Sequence, residues 1–412
     1  MSTNIDDLIK LEVEIADIDL QEFPEFAATE VMLGESLKTP GLQTSIKINN
    51  GLVTDVKKNL DRLKNKPISI SIERETYKNE PAYQRYNIPS QMRVGYDAEH
   101  LIYRLEERNL QNYSIEELTL RACDSSLLKD ASGLISKSWK CTSPSKITKD
   151  ILTECLGVPS DNQVIESSTP NYDYIARNIH AFQAINQQTN AALAKGDDPS
   201  FLHFMTYDVE KGVGIHHFES LKTMCEKPSV MTFRQTDTGE LSGFLNPTKA
   251  LAFSFPCDFD LLSDILNGIG PDGKDISSLA VFNPKNRMIS LLGNQEVGCG
   301  VGGGVFKTAQ TNVNTAKQQD TCASDVEKYR LKRQARMSLL EKDKIALRMT
   351  VPFNPKLNAG KVITFKYVDE SDNELYGAGD YLILNLFHHV KNGGYGTTVI
   401  DCVSKTVGSG VV

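Results

Sequence analysis

A glycine-rich run is the first stretch whose residue types and spacing could do chemistry. Residues 298–303 of GCGVGGG form a GxGxxG pattern, which cradles a dinucleotide pyrophosphate when a strand precedes it and a helix follows it. The next residues, VFKTAQTNVNT, are poor helix formers, and no parallel βαβ pattern surrounds the glycines. Lys307 would suit a phosphate loop, but Phe306 stands where that loop needs glycine. We therefore expect a loop over 298–320 and no nucleotide cofactor.

Two histidine pairs could serve as metal ligands. They are His216–His217 and His388–His389, and both fall on predicted strands, where neighbouring side chains point to opposite faces. One pair therefore cannot present two ligands to one ion. His203 could join from the facing strand, but no Cys or carboxylate stands beside it at ligand spacing. The pattern favours structural histidines and no bound metal.

An acidic cluster in CDFDLLSDIL offers a two-carboxylate hydrolase site. Asp258, Asp260 and Asp264 lie in a predicted short helix at 259–267, with the last two one helical turn apart. Helix capping and surface roles are much commoner for such residues. No GxSxG motif occurs, and neither a Ser/His/Asp nor a Cys/His set can be assembled. The sequence thus predicts a protein that is not an enzyme, with a hydrolase as the alternative.

A basic segment, KYRLKRQAR, lies on a predicted helix that starts with a Ser324–Glu327 capping box and runs to about Glu341. Such a face either contacts a partner or is solvated, and contact with DNA is the less favoured reading. The candidate contact residues on this helix are Lys328, Arg330, Lys332, Arg333 and Arg336.

Composition limits the function classes. The 412 residues are 40% hydrophobic and 24% charged with a net charge of −8, so a whole-surface attraction to DNA or to an anionic membrane is not expected. The N-terminus lacks the apolar core of a signal peptide, and no apolar run approaches the ~18 residues of a membrane-spanning helix. The 8 cysteines form no CxxC motif and are predicted to be reduced.

The elements divide the chain into blocks of different character. Residues 8–120 alternate in hydrophobicity and predict strands, with one helical piece at about 98–108. Residues 121–225 predict helices at 143–157 and 173–194, followed by a hairpin of FLHFMTYD and IHHFESL. Residues 226–320 are turn-rich and irregular. The last block predicts strands at 344–353, 361–369, 380–390 and 397–404.

A corner in the last block carries no chemistry of its own. The stretch VPFNPKLNAGKVITFKY (351–367) predicts a strand, a turn and a second strand. We call the turn, which Pro355 and Gly360 bracket, the corner. None of its residues could act as an acid, a base or a metal ligand. The stretch indicates a protein with a structural role and no catalytic chemistry. We expect it to be built from β modules joined by a helical module.

Several long segments, in order, resemble one protein family. They are residues 120–158 (LRACDSSLLKDASGLISKSWKCTSPSKITKDILTECLGV), 171–194 (NYDYIARNIHAFQAINQQTNAALA), 198–208 (DPSFLHFMTYD), 216–221 (HHFESL), 246–268 (NPTKALAFSFPCDFDLLSDILNG) and 331–340 (LKRQARMSLL). The set is similar to the baseplate central hub proteins of T-even-like contractile-tailed phages, most closely the marine cyanobacterial type. The likeness covers roughly residues 10–410, with small departures such as Tyr329–Arg330.

The resemblance implies an α+β, mainly β fold. Two tail-tube-like β-barrel domains would enclose a helical and hairpin module and an irregular insertion. The implied domains are a first tube-like domain at 1–120, a helix-plus-hairpin module at 121–225, an irregular insertion with the Gly-rich loop at 226–323, and a second tube-like domain at 324–412. The corner at Pro355 and Gly360 would help a strand pair pack beside a neighbouring subunit.

The resemblance also implies a role and partners. Such hubs are homotrimers whose pseudo-sixfold ring adapts the sixfold tail tube to the threefold central spike. The implied partners are a separate spike protein, tail tube or tube-initiator proteins and other baseplate proteins, with genomic DNA passing through the lumen without specific binding. The protein would be assembled in the host cytoplasm and reside in the virion, away from any membrane. The alternatives are a tail-associated hydrolase and a hub or spike protein of a non-phage contractile injection system.

Overall fold

The computed structural model of the chain describes most of its residues, in several stretches. They are residues 10–15, 28–49, 63–73, 91–94, 100–110, 116–235, 248–257, 278–283, 288–293, 306–310, 333, 336–341, 344–394 and 396–408. The predicted helix at 259–267, the Asp258, Asp260 and Asp264 cluster and the GxGxxG run lie outside the described residues. The described chain is mainly β, with mostly antiparallel pairing.

The first block forms two sheets that face each other across a shared core. Its strands are β1 (Lys10–Ile15), β2 (Ala28–Ser36), β3 (Gln43–Asn49), β4 (Ile68–Glu73), β5 (Gln91–Val94), β6 (His100–Leu110) and β7 (Glu116–Asp124). Strands β1, β4 and β5 make a small antiparallel sheet, while β2, β3, β7 and β6 belong to a much larger one. Inward residues such as Val13, Ile46, Ile70 and Leu120 form the common core. The predicted β character of this block is confirmed.

The second block combines helices with two hairpin-like pairs. Its elements are α1 (Ser125–Ser132), β8 (Ile135–Thr142), α2 (Pro144–Asp150), β9 (Gln163–Ile165), β10 (Tyr172–Ile179), α3 (Ala181–Ala191), β11 (Phe201–Asp208), β12 (Val213–Ser220) and α4 (Leu221–Glu226). Helix α2 starts as predicted, with Ser143 accepting from the Lys146 N–H and Pro144 at the first helical position. It continues as a π-helical turn, Ile151–Cys155, and Gly157 follows with a φ of +68°.

The rest of the chain is β-rich. Its strands are β13 (Thr232–Gln235), β14 (Lys249–Ala250), β15 (Ala252–Ser254), β16 (Ser278–Asn283), β17 (Met288–Gly293), β18 (Phe306–Gln310), β19 (Leu347–Pro352), β20 (Val362–Lys366), β21 (Gly379–Lys391) and β22 (Thr397–Ser404). The four strands predicted for the last block are confirmed to within a few residues. Strands β17, β16 and β18 form a separate three-stranded sheet.

Strand β21 organises the eleven-stranded sheet because it is long enough to serve three partners. Strand β22 pairs with one of its edges over Tyr381–His389. On the other edge, β20 pairs with its first residues and β2 with its last, so these two strands meet end to end near Ile383 and Leu384. The sheet therefore forks at this point, and it carries strands of the first and last blocks together. Among the described strands, no sheet closes into a barrel.

Three sequence predictions of local structure are wrong. The predicted helix at 98–108 is strand β6, and the first half of the predicted 173–194 helix is strand β10, which pairs with β8. Alternate inward residues Tyr174 and Ala176 bury against the helices, so strand pairing outweighs the helical spacing. Residues Phe306–Gln310 of the predicted loop form β18, because strand β16 supplies a partner for their backbone. The other residues of the predicted loop, 298–305 and 311–320, lie outside the described residues.

The predicted domain boundaries fall within continuous elements at two places. Residue 120 lies inside β7, and residue 225 lies inside α4. Pairing between β2 and β21 also joins the first block to the last. The four-part division stays a prediction, but the described strands of its two tube-like parts share one sheet. In the described part of the chain, no helix has the length and apolarity to cross a membrane.

Candidate assembly interface

The β11–β12 hairpin brings three of the predicted structural histidines together. His203 Nε2 and His216 Nδ1 lie 3.2 Å apart, and both side chains are buried. Burial lowers the pKa of His203 to about 3 and the pKa of His216 well below its usual value, so both rings are neutral near pH 7. His217 points to the opposite face, toward Thr206 and Glu219. Within the described stretches, no group of three or more His, Cys, Asp or Glu side chains could hold a metal ion.

The second histidine pair also splits across two faces of its strand. His388 is buried, and its Nδ1 lies 2.8 Å from Thr398 Oγ1. Burial lowers the pKa of His388 to about 3. His389 lies on the exposed face of the sheet and pairs with Glu30. The two rings therefore serve the core and the surface separately.

The basic helix is described at two of its predicted contact residues. Lys328, Arg330 and Lys332 lie outside the described residues, so a partner contact there stays a prediction. Arg336 Nη2 lies 3.8 Å from Asp198 Oδ1, which places it beside the second block of its own chain. Residues Met337, Leu339 and Leu340 of the same segment pack into a core with the hairpin and the last strands.

Arg333 is buried and makes its hydrogen bonds within its own chain, and its predicted contact with a partner stays a prediction. Its Nε donates to Asn190 Oδ1 at 2.7 Å, and its Nη2 donates to Thr189 Oγ1 at 3.1 Å. Its Nη1 donates to the Pro199 carbonyl at 3.1 Å and also to the Phe201 carbonyl. Burial lowers the pKa of Arg333 to about 10, which leaves the guanidinium charged. A planar fork of donors suits such a set of acceptors better than a lysine would.

The corner lies in the fork of the large sheet. Pro355 and Gly360, the other two predicted contact residues, are both buried in the described chain. The Gly360 N–H donates to the Ile383 carbonyl, at the point where β20 gives way to β2. A Cβ on Gly360 would lie 3.0 Å from Phe204 Cζ and 3.1 Å from Met224 Sδ. The corner therefore packs against its own hairpin, and a contact of Pro355 and Gly360 with a second subunit stays a prediction.

A buried carboxylate holds the corner to the first block and the hairpin. Glu35 Oε1 accepts from the Tyr207 N–H at 2.8 Å and from Asn358 Nδ2 at 3.0 Å. Its Oε2 accepts from the Ala359 N–H at 2.8 Å. Burial raises the pKa of Glu35 to about 7, although these three donors and nearby Lys361 pull the pKa down. One side chain thus joins the first strand block, the hairpin and the corner.

Gly360→Ala is expected to lower the free energy of unfolding by about 2–3 kcal/mol, because the φ of +81° disfavours a side chain and the added Cβ crowds the hairpin. Urea unfolding followed by circular dichroism measures the loss. Gly393→Ala is the matched control: its φ is +64°, but a Cβ there meets nothing within 4 Å. We expect about 1 kcal/mol for the control. Equal losses for the two variants would contradict a packed corner.

A concave area lies on the exposed face of the large sheet, which we call the sheet basin. Its floor is formed by Met32, Gly34 and Phe387, with the Phe387 ring lying across Gly34 on the paired strand. Met32 and Phe387 are 42% and 51% exposed, unusual for large apolar side chains at the centre of a sheet. The basin has a volume of about 520 Å³. Its shape and apolar floor suit the docking of a protruding side chain.

Polar and charged side chains surround the basin. Arg121 and Arg348 lie on opposite sides, while Gln43 and Asn385 lie between them. Arg348 makes two hydrogen bonds to Asp401, at 2.6 and 3.2 Å. An apolar centre with a polar rim is the usual arrangement of a protein-docking surface.

The chain is similar to known proteins in its fold and not in its sequence. No protein-family model and no curated protein matches the chain. Among solved structures, a tail protein from Neisseria meningitidis MC58 superposes with a TM-score of 0.54 at 10% identity, covering 97% of each chain. The 43 kDa tail protein of prophage MuSo2 from Shewanella oneidensis gives 0.54 at 9% identity, covering 98% of this chain and 99% of that one. The chain has a phage-tail-protein fold.

A third similar structure comes from a secretion system. It is an E. coli protein described as a component of the type VI secretion system with structural similarity to the T4 bacteriophage tail proteins gp27 and gp5. Its TM-score is 0.51 at 8% identity, and the match covers 95% of this chain and 76% of that one. Identities this low establish the shared fold and carry no residue roles from one protein to another. The tail-like fold expected from the sequence resemblance is confirmed at this level.

Glu35 and the basin were not predicted from the sequence, although each leaves a signal in it. Val31, Leu33 and Glu35 occupy successive inward positions of β2, so a carboxylate stands in an otherwise apolar stripe. Phe387 shows the reverse, because it stands among the outward positions of β21 with polar neighbours two residues away on either side. A residue whose polarity contradicts its face of a strand is the signal that would have identified both.

Proposed function

We propose that this chain is a structural protein of a phage tail baseplate that serves as its central hub. The observation that carries the proposal is the tail-protein fold, matched over 97% of this chain and 97% of a solved tail protein. The wider sequence likeness to hubs of T-even-like phages, marine cyanobacterial type, supports the same role. We propose no catalytic activity for it.

In the proposed assembly, three copies form a homotrimeric ring with pseudo-sixfold symmetry. Each copy contributes two tube-like β-barrel domains, built from the first and last strand blocks, and the ring adapts a sixfold tube to a threefold spike. The joined sheet and the buried junction at Glu35 support this idea, because they fix the angle between the two blocks. A fixed angle is what a ring wall requires.

The proposed partners are a central spike protein, tail tube or tube-initiator proteins and other baseplate proteins. During ejection, genomic DNA would pass through the ring lumen without specific binding, and the net charge of −8 supports that feature. We expect the lumen to carry more Asp and Glu than Lys and Arg, so a strongly basic lumen in an assembled ring would contradict this part of the proposal. The protein would be a late virion component, assembled in the host cytoplasm.

The test is the mass of the purified chain by light scattering, alone and with its candidate spike protein. We expect a trimer of three 45.7 kDa chains, or a complex of three chains with three spike chains. Because assembly of such proteins depends on partners and concentration, both mixtures are measured over a concentration series. A monomer under every condition would overturn the hub proposal.

Two alternatives remain distinguishable. The likeness to a type VI secretion component favours a hub or spike protein of a non-phage contractile injection system as the second candidate. Assembly with the tube proteins encoded near each candidate system separates these two roles. A tail-associated hydrolase is the third candidate, and it predicts clearing in a cell-wall zymogram, where a hub leaves the wall intact.

A further inference from the structure

The loop between β20 and β21 presents the most exposed aromatic side chain in the described part of the chain. Tyr376 is 80% exposed, and Leu375 beside it is also exposed. The loop sequence DESDNELY (369–376) carries four carboxylates and no basic residue, and one of the four, Asp372, pairs with Arg234 of β13. The exposed tyrosine ring and the adjacent leucine together offer an apolar tip that a concave surface can receive.

The loop is held in one shape before any docking. The Asp369 carboxylate accepts from the Ser371 N–H at 2.8 Å and the Asn373 N–H at 2.9 Å, and Asn373 Nδ2 donates back to it at 3.0 Å. The Leu375 N–H donates to the Tyr367 carbonyl at 2.8 Å, which closes the loop. A preorganised loop loses little conformational entropy on binding, so it can use its aromatic tip efficiently.

Beneath the loop, an aromatic cluster supports its base. Phe253 and Phe255 pack against Phe365 and Tyr367 with ring centroids 5.1 to 6.3 Å apart. The cluster is continuous with the core of the last block. The tip of the loop is therefore fixed to the same rigid body as the sheet basin, which gives the two surfaces a set orientation.

The sheet basin is complementary to the loop in shape and in charge, because it is concave and has arginines on its rim. Its apolar floor of Met32 and Phe387 is open, and its volume of about 520 Å³ lies in the range of pockets that enclose small ligands. Arg121 and Arg348 on the rim are each paired with one carboxylate but keep 38% and 52% of their side chains exposed. They can therefore also reach acidic groups of a docked loop, whose charge is opposite.

We propose that the β20–β21 loop of one copy inserts Tyr376 into the sheet basin of a neighbouring copy. The ring rests on the function proposed above, and this inference names the contact that builds it. Loop and basin are different surfaces of one chain, so the contact is head to tail: each copy gives a loop and receives one, and the threefold rotation of the proposed trimer closes the ring. In this contact the Tyr376 ring would pack on the Phe387 ring, and the acidic loop would face the basic rim of the basin. Buried aromatic residues surrounded by polar groups are typical anchors of protein interfaces.

The experiment uses two single variants and a matched control of the full chain. Tyr376→Asp disables the loop, and Phe387→Asp disables the basin, while Ile175→Asp places the same charge on an equally exposed residue of β10, 54% exposed, in the second block. We expect the first two to raise the dissociation constant of the assembly at least tenfold, as for an interface anchor, and the control to leave it unchanged. Circular dichroism checks that all three fold, since each side chain is exposed.

Mixing the two disabled variants gives the sharper result. The loop-disabled chain still has a basin and the basin-disabled chain still has a loop, so one intact contact forms between them. We expect a complex of two chains, about twice 45.7 kDa, that cannot grow into a ring. Mixtures that stay monomeric at concentrations where the native chain assembles would overturn the inference.

The outcomes separate this inference from the hub proposal. If the native chain assembles and both variants assemble equally well, the inference is wrong and the hub proposal stands. If only Phe387→Asp dissociates the assembly, the basin receives a different partner and the inference is again wrong. If the native chain stays monomeric with and without its spike, the hub proposal itself is wrong, and this contact is wrong with it.

Discussion

Replacing Glu35 by alanine is expected to lower the free energy of unfolding by about 3–5 kcal/mol. The variant leaves three buried N–H groups without an acceptor: those of Tyr207 and Ala359, and one of the two on the Asn358 amide, whose other N–H donates to the Tyr207 carbonyl. An unsatisfied buried donor costs about 1–3 kcal/mol. Urea unfolding at pH 5 and pH 7 measures the loss.

The matched control for this prediction is Glu154→Ala. Glu154 is an exposed glutamate paired with Lys137 on the surface, and such pairs contribute about 0–1 kcal/mol. If Glu35→Ala loses no more stability than this control, the carboxylate does not hold the junction. The loss should also reach β2, the hairpin and the corner together, which hydrogen exchange at Tyr207 and Ala359 would show as faster exchange.

The pH dependence of stability gives an independent view of the same carboxylate. The folded pKa of Glu35 is about 7 and its unfolded value is 4.5, so the folded state binds the extra proton between these pH values. Its contribution is therefore fully present below pH 4.5 and is lost as the pH rises to 7, by about 3 kcal/mol at 1.4 kcal/mol per pKa unit. Glu35→Gln removes this dependence.

The comparison of Glu35→Gln with the native chain isolates that one group. The buried histidines, His203 and His388 among them, destabilise both proteins equally as the pH falls below 6.5, so their effect cancels in the difference. Gln keeps the acceptor at Oε1 but places an NH₂ group toward the Ala359 N–H, which gives a constant loss. We expect the variant to recover relative to the native chain as the pH rises from 4.5 to 7. A difference that does not change with pH would rule out a raised pKa.

Period-two patterns predicted strands well where one face is buried. In β19 to β22 the alternation of inward and outward residues gave each strand within a few residues, because burial of one face fixes the register. The failure at β10 has the opposite cause. Its residues also fit a helical stripe, and only the pairing with β8, which begins 37 residues earlier in the chain, decides between the two patterns.

The candidate site was predictable only in outline. The corner was identified from Pro355 and Gly360, but its partners lie in β2 and the hairpin, 323 residues away in sequence for the Glu35–Asn358 pair. Spacing along a chain reveals neighbours within an element and says nothing of contacts at such separations. For the same reason the role of Arg333 could not be predicted. The sequence does not show which basic residue of a helix is buried against a distant part of the chain.

The structural role of the corner is to fill the gap at the fork in the large sheet. Strand β21 pairs with β20 and then with β2, and the chain must leave a gap where these two strands meet end to end. The corner fills that gap, with the Gly360 N–H bonded to the Ile383 carbonyl and the Leu37 N–H bonded to the Leu384 carbonyl. The packing and hydrogen bonds of the corner fix the angle between the first and last strand blocks. The corner therefore has a structural role although it contains no reactive residue.

Arg333→Met is expected to lower the free energy of unfolding by about 3–5 kcal/mol, because it removes the hydrogen bonds of this guanidinium to the second block. The side chain keeps its length and apolar stem, but the carbonyls of Pro199 and Phe201 and the side chain of Asn190 lose their donor. Arg333→Lys should recover less than half of the loss, because a single ammonium cannot reach acceptors spread around a planar fork.

Lys38→Met is the control for the loss of a positive charge, since Lys38 makes one exposed ion pair with Glu341, worth at most about 1 kcal/mol. Thermal and urea unfolding of the four proteins rank them as native, Lys38→Met, Arg333→Lys and Arg333→Met in order of falling stability. If Arg333→Lys matches the native chain, charge alone is sufficient and the fork of hydrogen bonds is not what holds the helix. If Arg333→Met matches Lys38→Met, the helix is held by the apolar packing of Leu339 and Leu340, and its basic residues are then available for the partner contacts that the sequence predicted.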